Sequence, residues 1–196
     1  MEKFKTLQSV MMPLDKVNID TDQILPARYL QKPRANNFGE YLFKDVRHDG
    51  SGSLKPEFVL NQAQYINAKI MLAKDNFGCG SSREHAVWAI YDAGFRVVIA
   101  PSFGDIFFNN ALKNGLLPIR LSSSDVVTLF NLTQQNSASP VVINLASQNV
   151  LANPDFSAAF EIDSFSKQCF LEGLDELGYT LGLLPQIEAF EKKLTS

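Results

Sequence analysis

The chain has 196 residues, 45% of them hydrophobic and 20% charged, the make-up of an ordinary globular domain with a proper core. A net charge of −3 argues against a nucleic-acid or anionic-membrane surface. No run approaches the roughly 18 apolar residues of a membrane span. The basic-then-apolar start, MEKFKTLQSVMMPLDK, is broken by Gln8, Ser9 and Pro13 and leads to no small-residue cleavage site, so the expected location is the cytoplasm.

In chain order, Phe4 to Leu14 reads as a strand and Asn18-Ile19-Asp20-Thr21-Asp22 as a polar turn. Residues 31–56, rich in Gly, Pro, Asn and Lys, read as a loop long enough to be functional or disordered. Ile70 to Ala73 is a short apolar run that stops before Gly78-Cys79-Gly80. Ser82 to Ala93 then places Ala86, Ala89, Ile90 and Ala93 at helical spacing. Val97 to Ala100 is a buried-type strand ended by Pro101, and Phe103 to Lys113 a second helix. Leu116 to Leu121 is another strand, followed by a helix over Asp125 to Gln134 behind the serines at 122–124. Strands alternating with helices predict parallel pairing through crossovers. Residues 140–162 read as a small β-meander around Asn153-Pro154-Asp155, and Phe165 onward as helices punctuated by Gly173, Gly178 and Gly182. The fold expected is α/β, a central mixed sheet flanked by helices.

The chemistry concentrates in Asn76-Phe77-Gly78-Cys79-Gly80-Ser81-Ser82-Arg83-Glu84-His85-Ala86. Glycines let a backbone turn tightly and approach a ligand. A helix start supplies unpaired N–H groups and a positive dipole end. Arg83 adds a planar fork suited to a carboxylate, so the segment reads as an anion site. The plainer alternative is that Ser81-x-x-Glu84 is a capping box with no role beyond starting the helix. Cys79 with His85 as its base would make a nucleophilic pair, but a cysteine between two glycines fits packing better. Asp20-Thr21-Asp22 lacks the glycine and terminal glutamate of a calcium loop and reads as an Asx-rich turn, with Asp22 a candidate supporting carboxylate. Cys79 and Cys169 stand ninety positions apart with no Cys/His cluster. This chain alone is therefore expected to hold no zinc or iron–sulfur centre, since such sites need three or four ligands.

The run NFGCGSSREHA resembles the small-subunit family of bacterial 3-isopropylmalate dehydratases, in the aconitase superfamily. So do GFRVVIAPSFGDIFFNNALKNGLLPI at 94–119, NIDTDQILPARYL at 18–30, FVLN at 58–61 and CFLEGLDELGYTL at 169–181. The resemblance spans nearly the whole chain. It implies one swivelling β/β/α domain over 1–196, with a helical C-terminal segment from about 164. It implies a hydro-lyase of leucine biosynthesis that isomerises 2-isopropylmalate to 3-isopropylmalate by dehydration and rehydration. It also implies a separate large subunit whose [4Fe–4S] cluster binds the substrate hydroxyl and a carboxylate. Carried over by position, Ser81 is the alkoxide base for the carbon-bound proton, Ser82 and Arg83 hold substrate carboxylate, and Asp22 matches the acidic residue of a Thr-Asp-x-Ile element. In place of the aconitase arginine for the extra citrate carboxylate stands the short stretch 26–32, with Leu30 the candidate contact for the isopropyl group. Arg28 and Lys32 flank Leu30 and keep a tricarboxylate open. Two further readings therefore stand beside the first: a hydro-lyase subunit for homoaconitate or a methyl-substituted malate, and a non-catalytic anion-binding module.

Overall fold

A computed structural model describes residues 1–34, 37–80, 83–153 and 155–194 of the protein. Its strands are β1 (Thr6–Ser9), β2 (Met11–Leu14), β3 (Ile70–Ala73), β4 (Val97–Ala100), β5 (Leu117–Arg120), β6 (Val141–Asn144), β7 (Asn149–Ala152) and β8 (Phe156–Ala159). Its α-helices are α1 (Thr21–Ile24), α2 (Lys44–Arg47), α3 (Glu84–Asp92), α4 (Asp105–Lys113), α5 (Ser123–Gln135), α6 (Ser164–Glu172), α7 (Glu176–Gly182) and α8 (Leu184–Leu194). Short 3-10 turns occupy Ala27–Tyr29, Phe38–Tyr41, Val59–Asn61 and Ala63–Tyr65.

The strands divide into two four-stranded sheets, an all-parallel one in the order β2-β3-β4-β5 and an antiparallel one in the order β1-β6-β7-β8. The parallel and antiparallel pairings expected together in one mixed sheet are thus separated. The single strand expected over Phe4–Leu14 is two strands that join different sheets across Val10. Pro13 and Pro118 fall in β2 and β5, the two edges of the parallel sheet, where a missing N–H leaves no ladder bond unmade.

The parallel strands are buried on both faces, and successive residues feed two cores. Met71, Ala73, Val98 and Ala100 enter one, together with Ala86, Val87 and Ile90 of α3 and Phe107 and Ala111 of α4. Ile70, Leu72, Val97, Ile99, Leu117 and Ile119 enter the other, with Val126, Leu129 and Phe130 of α5 and Val141, Ile143 and Val150 of the antiparallel sheet. Because β3, β4 and β5 are neighbours in sequence order, right-handed crossovers place α3 and α4 on the same face. The result is three layers: helices, parallel sheet, then antiparallel sheet with α5. The stretch read as a long loop is substantially packed, since Phe38 of its 3-10 turn and Leu42 and Phe43 before α2 are buried in the first core, and Gly39 is buried beside Phe38. Gly173 adopts φ 74° as the C-cap of α6, whereas Gly178 lies within α7. Among the described residues no helix is long and apolar enough to cross a membrane.

Candidate active site

In a parallel sheet every strand points the same way, so the segments after β2, β3 and β4 emerge along one edge. Ligand crevices of α/β proteins form at that edge, beyond the carboxyl ends of the strands. Here the three segments are stitched together by backbone. Gly78 N–H donates to Ile19 O (2.7 Å) and Thr21 N–H to Cys79 O (2.9 Å). Phe77 N–H donates to Ser102 O (3.0 Å) and Gly104 N–H to Phe77 O (2.9 Å). Isolated parallel bridges join Asp20 to Cys79 and Phe77 to Phe103.

Two asparagines hold the turns. Asn18 and Asn76 both adopt positive φ, and Asn76 Nδ2 donates to Asn18 Oδ1 (2.8 Å) while its backbone N–H donates to Ser102 Oγ (2.8 Å). Asparagine tolerates the left-handed conformation because its short amide bonds locally. Asn18 opens the polar turn and Asn76 the glycine-bearing segment read from the sequence, but their role in holding the two turns together has no local signal. Gly78 sits at φ 70°, and a Cβ there would collide with the Phe107 ring of α4. This is why the segment needs glycine at that position.

Arg83 and Asp22, sixty-one positions apart, form an ion pair across this edge through Nη1 and Oδ1. The Arg83 side chain is 26% exposed and that of Asp22 56%, so the pair is reachable from solvent. Arg83 is also the N-cap residue of α3, which sets its guanidinium beside the positive end of that helix. The fork and the helix end together make an anion-receptive corner. Ser81 and Ser82 lie outside the described residues. The capping-box reading turns on Ser81 and so falls outside the described residues as well; α3 runs from Glu84, with extended Arg83 before it. The Glu84 carboxylate accepts from Asn114 Nδ2 (2.7 Å) of the α4 C-terminus.

The other candidates separate. Asp20 caps α1, its carboxylate accepting from Gln23 N–H (2.7 Å) three residues on, so the stretch read as an Asx-rich turn is the capped start of a short helix. His85 lies against Trp88 (ring centroids 4.4 Å) and Phe38 (6.4 Å), an aromatic packing environment. Cys79 is half-buried and Cys169 buried, in different elements. Among the described residues no three His, Cys, Asp or Glu side chains converge as a metal site, and two thiols do not fit an iron–sulfur cluster. Leu30 ends the 3-10 turn at Ala27–Tyr29 and packs, half-buried, against the first core. Arg28 beside it is already paired with Asp45 through both amino groups, holding the Asp45 carboxyl below its ordinary value. That engagement uses one of the two flanking cations that kept a third substrate carboxylate open.

A family model described as the aconitase C-terminal domain matches residues 1–124. A 3-isopropylmalate dehydratase small subunit of Rhodopseudomonas palustris is 47% identical over 99% of this chain and 96% of its own length. The corresponding small subunit of Azorhizobium caulinodans is 49% identical over 97% of this chain and 95% of its own. The chain belongs to this small-subunit family. Its fold agrees with the crystal structure of a 3-isopropylmalate dehydratase from Methanocaldococcus jannaschii, at a TM-score of 0.64 and 25% identity over 96% of this chain and 98% of that one. The matched family region carries the whole parallel sheet and all three site segments, which end by Gly104 and Arg83. The small-subunit relatives extend through the antiparallel sheet and into the C-terminal helices as well.

Proposed function

We propose that the chain is the small subunit of a 3-isopropylmalate dehydratase, a cytoplasmic hydro-lyase of leucine biosynthesis that converts 2-isopropylmalate to 3-isopropylmalate. The observation that carries this reading is the meeting of Arg83 with Asp22 at the carboxyl edge of the parallel sheet, in a chain of this family. A solvent-reachable guanidinium at a helix start suits a carboxylate substrate. The chain acts as one swivelling domain, 1–196, closing on a large subunit. A [4Fe–4S] cluster belongs to that partner, where it binds the substrate hydroxyl and a carboxylate.

The division of labour within this chain follows from its residues. Arg83 grips a substrate carboxylate with its planar fork, Ser82 adds a hydroxyl donor, and Asp22 holds the guanidinium in direction. Ser81 takes the proton from substrate carbon. A serine hydroxyl keeps its proton at neutral pH, so its oxyanion needs stabilising groups, and Arg83 with the positive end of α3 is the local source. Leu30 contributes an apolar contact for the isopropyl group.

The test is co-expression with the large subunit and an anaerobic assay on 2-isopropylmalate, citrate and homoaconitate. Preferred turnover of 2-isopropylmalate is expected. Ser81→Ala in that complex should lower kcat at least about a hundred-fold with KM little changed, as loss of general-base chemistry does. A complex that is inactive on all three acids, or a Ser81→Ala complex of undiminished kcat, would contradict the proposal.

A further inference from the structure

We infer that Asn114 is a positioning residue for Arg83, holding the first turn of α3 in the direction that the carboxylate site needs; this rests on the reading of Arg83 as the carboxylate-binding group. Asn114 lies outside the glycine–serine–arginine run, at the far end of α4, and nothing in the sequence connects the two. In the structure its amide bridges one turn of α3. Its Nδ2 donates to Glu84 Oε1 (2.7 Å) and to Asn110 O (2.9 Å), and its Oδ1 accepts from the Trp88 indole N–H (2.9 Å).

The chemistry fixes which way the amide points. An indole N–H only donates and a carboxylate only accepts, so one orientation of Asn114 serves both. Glu84 and Trp88 are four residues apart, on one face of α3, so the amide clamps that face. Glu84 directly follows Arg83. A rotation of the first turn would therefore carry the guanidinium away from Asp22. Trp88 is itself wedged against Phe38 (6.1 Å) and His85 (4.4 Å), and the Arg34 guanidinium lies over its ring (5.4 Å). Asn110 and the C-cap of α4 anchor the other side of the clamp, since Asn114 N–H donates to Asn110 O (3.1 Å) and Ala111 O (3.2 Å).

The test exchanges donor and acceptor. In the complex with the large subunit, Asn114→Asp sets two carboxylates against each other and should raise KM for 2-isopropylmalate by about ten- to a hundred-fold, the range expected for a misaimed binding group. The swap Glu84→Gln with Asn114→Asp rebuilds the bond between positions 84 and 114 with reversed polarity and keeps the acceptor for Trp88, leaving only the Asn110 carbonyl without its side-chain donor, and should recover part of that loss. Glu84 is exposed, so Glu84→Ala removes the tether without burying an unpaired charge and should raise KM in the same sense, even if Asn114→Asp folds poorly. Trp88 is the single tryptophan, and its emission reports the bridge directly: Asn114→Ala should shift the spectrum. An unchanged KM in both Asn114→Asp and Glu84→Ala would overturn the inference. So would an unshifted Trp88 spectrum, or a swap that restores melting temperature but not KM. A wild-type complex without turnover would instead remove the functional reading and this inference with it.

Discussion

Gly78 allows the site's geometry to be tested without touching a ligand-binding group. Two separate penalties meet at this position. Its φ of 70° is left-handed, and a Cβ there would run into the Phe107 ring. Each penalty occurs alone elsewhere: Gly52 has φ 85° with nothing within 4 Å of an added Cβ, while Gly104 has ordinary φ but would press a Cβ onto the Gly78 carbonyl. The left-handed conformation costs a Cβ-bearing residue about 1–2 kcal/mol. Overpacking costs about 1–3 kcal/mol. Alanine returns roughly 0.4–1 kcal/mol by restricting the unfolded chain. Gly52→Ala should therefore destabilise by about 1 kcal/mol or less and Gly104→Ala by about 1–2 kcal/mol, on those same terms. Gly78→Ala should lose roughly 3 kcal/mol, close to the sum. For a chain of this size that lowers Tm by about 6–12 °C. Thermal and urea unfolding of the three variants measure this. Gly78→Ala should be partly rescued by Phe107→Ala in a double-mutant cycle, because that removes the colliding ring. If Gly78→Ala is no worse than Gly52→Ala, the packing of α4 against the site turn has been misassigned.

Four further outcomes follow from the same geometry. Arg83→Lys keeps the charge but loses the planar fork, so KM for 2-isopropylmalate should rise clearly while kcat falls less; an unchanged KM would remove Arg83 from carboxylate binding. Leu30→Arg should weaken 2-isopropylmalate turnover relative to a substrate carrying a carboxylate at that place, because an apolar pocket gains only about 1–3 kcal/mol per methylene; an unaltered ratio of kcat/KM values would exclude Leu30. Cys79→Ser should leave the assembled enzyme active, whereas a loss beyond about a thousand-fold in an intact complex would point to covalent catalysis. The Asp45 carboxyl is held below its ordinary value chiefly by its hydrogen bond from Arg28, so its contribution to stability is present above the unfolded carboxylate pKa and disappears as pH falls through the folded one. The difference in Tm between wild type and Asp45→Asn should accordingly be visible at neutral pH and vanish in acid.

Much of the architecture was legible because local patterns agreed with burial. Ile70–Ala73 and Val97–Ala100 are short, uninterrupted apolar runs, the pattern of strands covered on both faces, and α3 and α4 each show a periodic apolar face. The meander over β6, β7 and β8 alternates buried and more exposed residues along each antiparallel strand. Other features have no local signal. Phe4–Leu14 is continuous in pattern, and only the partners available to each half, β6 for one and β3 for the other, divide it between sheets. The glycine- and proline-rich stretch after residue 31 resembled open loop because a few large anchors, Phe38, Leu42 and Phe43, hold it to the core, too few to impose a period.

The candidate site divides along the same line. Chain chemistry alone picked out Arg83 as a carboxylate-suited group at a helix start, since glycines, hydroxyls and a guanidinium in six consecutive positions are a local property. Nothing local joins it to Asp22, and nothing local makes Glu84 a partner of Asn114. Those pairings exist because β2 lies parallel to β3, with Leu14 beside Ala73, so the turns leaving both strands emerge side by side. They also require α3 and α4 to share one face of the sheet, which the handedness of consecutive crossovers decides. Residue type determines what a side chain is able to bind; the direction and neighbour order of the strands determine which other side chains share the site with it.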